Sequence, residues 1–284
     1  MPPGDNGWNE PLGPVEGFMF DLDGTLILSN RSLGGYRALP GAAEILTELQ
    51  TRGTPFVVLT NGSAYPAAEQ APKLRALGLP IADEILLTPS TVAADLMQRR
   101  GVKRVLILGT RGVGQPLEEA GMEIVFPGDA RAADVQATYI GWHPDCNMKD
   151  IEAACKAIWN GAELYVASDV PFFATSEGKT MGYSHAIAAA VRKVTHAPMI
   201  LTGKPSLHAL KLVARKLKIP MNRVGVVGDD PVVEMIMARR GKAMGFGVTT
   251  GFTKHEDWAA QPKTRRPHRV VSELAEILKL TSSS

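Results

Sequence analysis

The chain has 284 residues, and its 31 Lys and Arg against 29 Asp and Glu give a formal net charge of +2. Hydrophobic residues make up 45% and charged residues 21%, as in ordinary globular proteins, which excludes disordered, collagen-like and coiled-coil classes. Because the charge is balanced, we expect no nucleic-acid partner. No apolar run approaches the roughly 18 residues of a membrane span, so no membrane association is expected either.

The cysteines and the N-terminal residues predict a reduced, cytoplasmic protein. The number and spacing of Cys146 and Cys155 fit neither a disulfide framework nor a zinc motif. Residues 1–16 are rich in Pro and Gly and have no apolar stretch, unlike a signal or transit peptide. They are predicted to form a flexible lead-in.

From Gly17 onward, short apolar runs alternate with stretches of helical period, and Gly or Pro marks the changes. This alternation predicts an α/β fold built on a parallel sheet. The predicted strands are Phe18–Phe20, Pro55–Leu59, Glu84–Leu87, Arg104–Leu108, Glu123–Phe126, Val135–Ile140, Leu164–Ala167, Met199–Leu201, Val224–Val227 and Ala243–Val248. The predicted helices are Gly41–Gln50, Ala67–Leu77, Ser90–Arg99, Met148–Asn160, Ser184–Val194, Ser206–Leu217, Val232–Arg239 and Ser272–Leu280.

Polar residues follow four of these strands. They are, in chain order, Asp21 and Asp23, Thr60 and Asn61, Lys204, and Asp229 and Asp230. In an open α/β sheet, ligands bind beyond the carboxyl ends of the strands. The four segments are therefore predicted to meet in one crevice.

The acidic residues predict a cation site. Asp21 and Asp23 are two residues apart, so their side chains leave the same face of an extended chain. Two carboxylates about 6 Å apart repel by roughly 3 kcal/mol at an effective dielectric of about 20, which favours a bound cation or a shared proton. With Asp229 the set consists of hard oxygen ligands, which suits Mg²⁺. The charge of Lys204 and the hydroxyl of Thr60 then favour phosphoryl chemistry.

The segments DLDGTL, a hydrophobic run into TNG, GKP and VVGD resemble, in this order, the four motifs of the haloacid dehalogenase (HAD) superfamily of phosphohydrolases. The resemblance covers about residues 17 to 280. It implies a doubly wound, parallel-sheet α/β core and Mg²⁺-dependent hydrolysis of a phosphate monoester. Asp23 favours a phosphatase over a dehalogenase, since halide leaves without needing a proton.

The resemblance also implies a role for each motif residue. Asp21 would be the nucleophile that forms an aspartyl-phosphate, and Asp23 would protonate the leaving oxygen and then activate water. The remaining roles are phosphate binding by Thr60, Asn61 and Lys204, and metal binding by Asp21, Asp23 and Asp229. One position departs from the pattern, because similar phosphatases carry Asp where this chain has Glu234. That residue's supporting role is expected to be shifted, or taken over by Asp230.

The spacing between motifs locates an inserted domain. Asn61 and Lys204 are 143 positions apart, which is enough for a separate α/β unit. We predict a core at residues 17–87 and 197–284, and a cap at residues 88–196. A large cap at this place is similar to that of the NagD and p-nitrophenyl phosphatase subgroup, which acts on small phosphorylated metabolites. The same resemblance leads us to expect a homodimer.

The cap loop Ser168–Tyr183 carries the candidate substrate contacts, which are Asp169, Phe172, Phe173 and Tyr183. The aromatic side chains have an alternative role, since they could pack beneath the loop. Two alternatives to hydrolysis also remain at this point. They are a catalytically weak protein that binds a phosphorylated metabolite, and a phosphotransferase that uses an acceptor other than water.

Three other segments receive ordinary structural interpretations. The Gly-rich residues 108–114 lack the spacing of a dinucleotide loop and are predicted to form a tight turn in the cap. The sequence His143-Pro144-Asp145-Cys146 is like part of a metal site but has no partners at ligand spacing, so a loop is predicted. The basic stretch 263–269 is predicted to be a solvated loop.

Overall fold

The computed structural model describes residues 10–29, 35–175, 178–251 and 253–281, apart from the side chains of 173–179 and 281. Within these ranges the chain forms two parallel sheets, each covered by helices on both faces, and two antiparallel hairpins. The predicted α/β class with a doubly wound core is therefore confirmed. In the described ranges, none of the helices combines the length and apolar character that crossing a bilayer requires.

All ten predicted strands and eight predicted helices are found, with boundaries shifted by a few residues. The strands are β1 (Gly17–Phe20), β2 (Ile27–Ser29), β3 (Tyr36–Ala38), β4 (Phe56–Leu59), β5 (Leu86–Leu87), β6 (Arg104–Leu108), β7 (Glu123–Val125), β8 (Ala137–Ile140), β9 (Glu163–Val166), β10 (Phe172–Thr175), β11 (Gly178–Met181), β12 (Met199–Leu201), β13 (Val224–Gly228), β14 (Met244–Val248) and β15 (Arg269–Val271). The helices are α1 (Ala42–Thr51), α2 (Ala67–Arg75), α3 (Pro89–Arg99), α4 (Arg111–Glu119), α5 (Met148–Trp159), α6 (Tyr183–Thr195), α7 (Leu207–Leu217), α8 (Ile236–Gly241), α9 (His255–Ala259) and α10 (Glu276–Thr281). The elements that the pattern does not predict are the hairpins β2–β3 and β10–β11, α4, α9 and β15.

The core unit is built on a sheet with the order β15-β14-β13-β1-β4-β5, in which all pairs are parallel. Phe18 and Phe20 of β1 pack on one face with α1, α2 and α10, whereas Met19 packs on the other with α7, α8 and α9. Successive side chains leave opposite faces, so a sheet covered on both faces requires continuous apolar strands. The polar segments after β13, β1 and β4 therefore emerge side by side at one edge.

The cap is built on a second sheet with the order β12-β9-β8-β6-β7, again with parallel pairs. Helices α3 and α4 cover one face, and α5 and α6 cover the other. The sequence predicts that the core resumes at residue 197, and that boundary is wrong. Strand β12 pairs with β9, so the cap sheet extends to Leu201.

The Gly-rich segment after β6 forms helix α4, so the predicted tight turn is wrong. Gly112 lies against the core unit, where an added β-carbon would be 2.6 Å from the backbone of Ala64 and Tyr65. The Thr110 hydroxyl donates to the Ala64 carbonyl at 2.9 Å. Each glycine disfavours a helix by about 1 kcal/mol, which is why the Gly-rich sequence favoured a turn over a helix. Close contact between cap and core requires the small residue.

Residues 10–16 dock on the core unit, so the prediction of a flexible lead-in is wrong for them. The carboxylate of Glu10 accepts two hydrogen bonds from the Arg239 guanidinium, at 2.8 and 3.0 Å. Glu16 pairs with Arg223 at 3.0 Å. The rest of the predicted lead-in, residues 1–9, lies outside the described residues.

The basic stretch 263–269 is largely built into the core unit, so the prediction of a solvated loop is also wrong. His268 is buried, and its Nδ1 accepts the Gly245 N–H at 2.9 Å. Arg269 begins β15 and donates to the Glu10 carbonyl. Burial, with the nearby charge of Arg239, lowers the pKa of His268 to about 4.

We expect the free energy of unfolding to fall as the pH drops from 6.5 to about 4, the interval between the ordinary and the folded pKa of His268. As the pH falls, His268 is protonated in the unfolded chain before it is protonated in the folded one. Its contribution to the free energy of unfolding is therefore complete above pH 6.5 and lost toward pH 4. The loss is at most on the order of 3 kcal/mol. Urea unfolding of the wild type and of His268→Gln across this interval measures it. If the free energies of unfolding of the two proteins changed in parallel with pH, His268 would not be the source of the effect.

Two glycines of α4 form a matched test of the contact between cap and core. Gly112→Ala places a methyl group against the core backbone and should lower the free energy of unfolding by about 1–3 kcal/mol. Gly114→Ala is the control, because its nearest neighbours would lie at 3.8 and 3.9 Å. That change should leave stability equal or raise it by up to about 1 kcal/mol through helix propensity. Equal effects of the two variants in thermal unfolding would sink this explanation.

Candidate active site

The site lies at the edge of the core sheet where β13, β1 and β4 end. Asp21 directly follows β1, and its N–H donates to the Val227 carbonyl of β13 at 2.9 Å. Thr60 directly follows β4, and its N–H donates to the Leu87 carbonyl at 3.1 Å. These bonds extend the sheet ladder by one residue, so the first polar residue after each strand is held by backbone bonds. The position agrees with ligand binding at the carboxyl ends of parallel strands.

Lys204 enters the site from the segment that returns from the cap. Its side chain is buried, and Nζ forms ion pairs with Asp21 Oδ1 and, at 2.8 Å, with Glu234 Oε1. Burial disfavours the ammonium group, but the attraction of the two carboxylates outweighs it and raises the pKa of Lys204. The lysine is therefore a fixed positive charge beside Asp21.

Asn61, which is predicted to bind phosphate, contacts the backbone of Lys204. Its side-chain amide donates to the Lys204 carbonyl at 3.0 Å, and its Oδ1 accepts the Lys204 N–H at 2.7 Å. The amide thus engages both backbone groups of the lysine, which makes Asn61 a positioning residue. The Thr60 hydroxyl accepts the Gly62 N–H at 2.9 Å, which leaves its own proton for a ligand oxygen.

Glu234 makes the contact with Lys204 itself, although its side chain is longer than the Asp of similar phosphatases. It lies in a π-helical turn, Pro231–Met235, and its Oε2 accepts the Asp230 N–H at 3.2 Å. A β-carbon at Gly228 would overlap the Glu234 side chain, so glycine provides the room for the extra methylene. Burial and the surrounding carboxylates raise the pKa of Glu234 against the opposing effect of Lys204. Asp230 instead caps the turn, accepting the Val232 N–H at 2.7 Å.

Asp23 differs from Asp21 in its surroundings. The residue is exposed, and its carboxylate accepts a hydrogen bond from Ser29 of β2. Although the residue keeps accessible surface, the surrounding protein removes much of the solvation of its carboxylate. This loss, with a further contribution from the charge of Asp21, raises the pKa of Asp23 to about 6, although the Ser29 bond opposes the shift. Sequence reasoning missed Ser29, because the β2–β3 hairpin carries no periodic signal. A carboxyl group with this pKa can both give and take a proton near neutral pH.

The residues around Asp229 fit a small divalent cation. Asp21 and Asp229 are both buried carboxylates at the ends of adjacent strands, and hard oxygen donors are what Mg²⁺ requires. A β-carbon at Gly24, whose φ is +85°, or at Gly251 would overlap the Asp229 carboxylate. The two glycines therefore make room for the carboxylate of Asp229 itself. The Thr253 hydroxyl fixes the loop by donating to the Asp229 carbonyl at 2.6 Å.

The predicted cap residues occupy different environments. Asp169 Oδ1 lies 2.8 Å from Nδ1 of His185, a partner that the sequence did not reveal. The Tyr183 ring packs edge-on against Trp142, with a centroid distance of 4.6 Å, as in the packing alternative. Phe172 of β10 is 47% exposed, and the Phe173 side chain lies outside the described residues.

The fold and the site define an α/β phosphohydrolase with a carboxylate-based centre and an inserted cap. Comparisons with known proteins agree with this class. Human chronophin is 27% identical over 94% of this chain and 93% of its own. Ribonucleotide monophosphatase NagD from Escherichia coli is 23% identical, covering 93% of this chain and 98% of that protein. The crystal structure of 4-nitrophenylphosphatase from Thermotoga maritima has a TM-score of 0.82 and 25% identity, covering 94% of this chain and 97% of that one.

Two family models identify the superfamily. A model described as haloacid dehalogenase-like hydrolase matches residues 18–123, and one described as HAD-hydrolase-like matches residues 201–277. The chain belongs to the haloacid dehalogenase superfamily, in the NagD and p-nitrophenyl phosphatase subgroup with a large cap. It is a phosphatase that hydrolyses phosphomonoesters.

The amide contact predicts a kinetic effect for Asn61→Ala. Loss of both bonds to the Lys204 backbone should move the ammonium group relative to Asp21 and lower kcat at least about tenfold, since small misplacements have large kinetic costs. Steady-state hydrolysis of p-nitrophenyl phosphate measures the change. Asn160→Ala is the control, because it removes an amide that donates only to the Ala133 carbonyl on the cap surface. An unchanged kcat in Asn61→Ala would refute the positioning role.

Proposed function

We propose that the protein hydrolyses small phosphorylated metabolites through a covalent aspartyl-phosphate on Asp21, with Mg²⁺ as cofactor. The observation that carries the proposal is that both oxygens of the buried Asp21 carboxylate are held by neighbouring side chains. It is buried at the sheet edge, with Oδ1 bound by Lys204 and Oδ2 accepting the Thr25 hydroxyl at 3.3 Å. Such contacts hold a carboxylate in one orientation, as in-line attack on phosphorus requires.

In the first half-reaction, an oxygen of Asp21 forms a bond to phosphorus while the bond from phosphorus to the ester oxygen breaks. The departing oxygen takes a proton from Asp23, whose raised pKa of about 6 leaves part of the population protonated near neutral pH. Lys204 and the Thr60 hydroxyl would stabilise charge on the phosphoryl oxygens. The alcohol then leaves, and the phosphoryl group remains on Asp21.

In the second half-reaction, the now ionised Asp23 takes a proton from water as the water oxygen attacks phosphorus. The bond between phosphorus and the Asp21 oxygen breaks, which restores the carboxylate and releases inorganic phosphate. The exposed position of Asp23 supports both roles, because the residue can meet leaving group and water from the solvent side. The same carboxyl group is thus acid in one step and base in the next.

The cofactor proposal rests on the donor set. The carboxylates of Asp21 and Asp229 and the carbonyl of Asp23 would hold Mg²⁺, which supplies Lewis-acid stabilisation of the phosphoryl oxygens. Glu234 keeps Lys204 in place, and this contact supports hydrolysis over the binding-protein alternative.

The cap is proposed to select the substrate. The relatives named above include a nucleotide phosphatase and a 4-nitrophenylphosphatase, which supports a small phosphomonoester. Phe172 and Asp169 remain proposed substrate contacts in the cap loop. The two cysteines are unpaired, which supports a reducing cytoplasmic location, and a homodimer stays a proposal by resemblance.

The mechanism predicts that Asp21→Asn abolishes turnover. An amide oxygen is a far weaker nucleophile, so hydrolysis of p-nitrophenyl phosphate in Mg²⁺ should fall by about 10³-fold or more. The matched control is Asp23→Asn assayed with two esters. Both esters should lose activity because the attack of water on the aspartyl-phosphate is no longer base-assisted. The loss should be larger for an alkyl phosphate than for p-nitrophenyl phosphate, whose leaving group needs little protonation. Substantial activity in Asp21→Asn would rule out the nucleophile assignment, and activity unaffected by chelating Mg²⁺ would rule out the cofactor.

A further inference from the structure

Three metal-ligating side chains converge in the cap, in a cluster that the proposed mechanism does not use. His143 and Cys146 lie in the loop after β8, and Asp150 lies in the first turn of α5. One ligand atom from each, a ring nitrogen, Sγ and a carboxylate oxygen, lies within 4.8 Å of the other two. Sequence reasoning found two of them and missed Asp150, because the helix brings it back over the loop.

The separation of two of these ligand atoms is compatible with a shared metal ion. His143 Nε2 lies 3.4 Å from Asp150 Oδ2. Two nitrogen or oxygen ligands bound at about 2.0–2.2 Å to a tetrahedral zinc ion are roughly 3.4 Å apart. Hydrogen bonds from nitrogen to oxygen are shorter, at about 2.7–3.2 Å. The pair therefore has the separation of two ligands that share an ion.

Helix capping accounts for only one of the three residues. Asp150 Oδ2 accepts the Asn147 N–H at 2.9 Å, and the Asn147 side chain accepts the Lys149 N–H, which forms a capping box. This box fixes the position of Asp150. It does not require an imidazole and a thiol to face the same carboxylate.

We propose that His143, Cys146 and Asp150 bind a divalent transition metal of the zinc type, with a water molecule as fourth ligand. Imidazole and thiolate favour such ions, whereas Mg²⁺ takes oxygen ligands. Binding forms a metal–sulfur bond as the S–H bond breaks, and the proton leaves to solvent. The His143 and Asp150 side chains are 20% and 13% exposed, so the ion can enter from solvent.

The site lies beside the contact between cap and core. The preceding residue, Trp142, donates its N–H to the Ser63 hydroxyl of the core unit at 3.2 Å. Its ring also packs on Tyr183 at the start of α6. A bound ion would tie this loop to α5 and stabilise the cap, and its presence does not depend on the phosphatase mechanism.

Cobalt(II) titration of the full-length protein, followed by absorption spectroscopy, tests the proposal. Thiolate ligation gives Co²⁺ a charge-transfer band in the near ultraviolet, and the all-oxygen site at Asp21 and Asp229 gives none. We expect the band at one equivalent per chain and its loss when Zn²⁺ is added. Cys146→Ser should reduce it at least about tenfold, and His143→Gln should weaken Co²⁺ binding by about tenfold or more.

Two controls localise the signal. Cys155→Ala removes the other cysteine, which is buried in the cap outside the cluster, and should keep the band. Asp21→Asn should also keep it, so the result is independent of catalysis. Circular dichroism confirms that each variant is folded. Absence of the band at saturating Co²⁺, its survival in Cys146→Ser, or its loss in folded Cys155→Ala would overturn the proposal.

Discussion

The buried ammonium group of Lys204 holds the active site together. It lies between the carboxylates of Asp21 and Glu234, from which it is 183 and 30 positions away in the sequence. A charged group removed from water is tolerable only when it is paired, because an unpaired buried charge costs several kcal/mol. The order of the strands, the π-helical turn and the glycine at 228 all serve this arrangement. It fixes Asp21 in one orientation, and in the proposed mechanism it would supply a positive charge to the phosphoryl group.

The same lysine links the catalytic core to the cap. Lys204 follows β12, the last strand of the cap sheet, by three residues, and the Asn61 amide holds its backbone against the loop after β4. The return from the cap is therefore attached to the site by two hydrogen bonds and two ion pairs. A second contact, between α4 and residues 64–65, joins the two units nearby. Cap position and lysine position are thus coupled through short, direct contacts.

Local sequence signals predicted the main elements well. Each long strand is a continuous apolar run, and each long helix has a clear apolar period, so their signals do not depend on the rest of the fold. The signals failed where another part of the chain decides the conformation. Gly112 disfavours a helix but permits the approach of the core backbone, and β15 becomes a strand only because β14 lies beside it. The charges of residues 263–269 predict an exposed loop, although His268 is buried against Gly245.

Local sequence was enough to predict which chemical groups follow the strands and in what order, because each motif lies within a few residues of one strand. It therefore predicted the class of fold and the phosphohydrolase resemblance, and it singled out Asp21, Asp23, Lys204 and Asp229 as candidate site residues. The contacts among these groups are visible only in the folded chain: Asn61 binds the Lys204 backbone, and Glu234 pairs with the Lys204 ammonium group. These contacts join residues 143 and 30 positions apart, and over such separations no local pattern carries a signal.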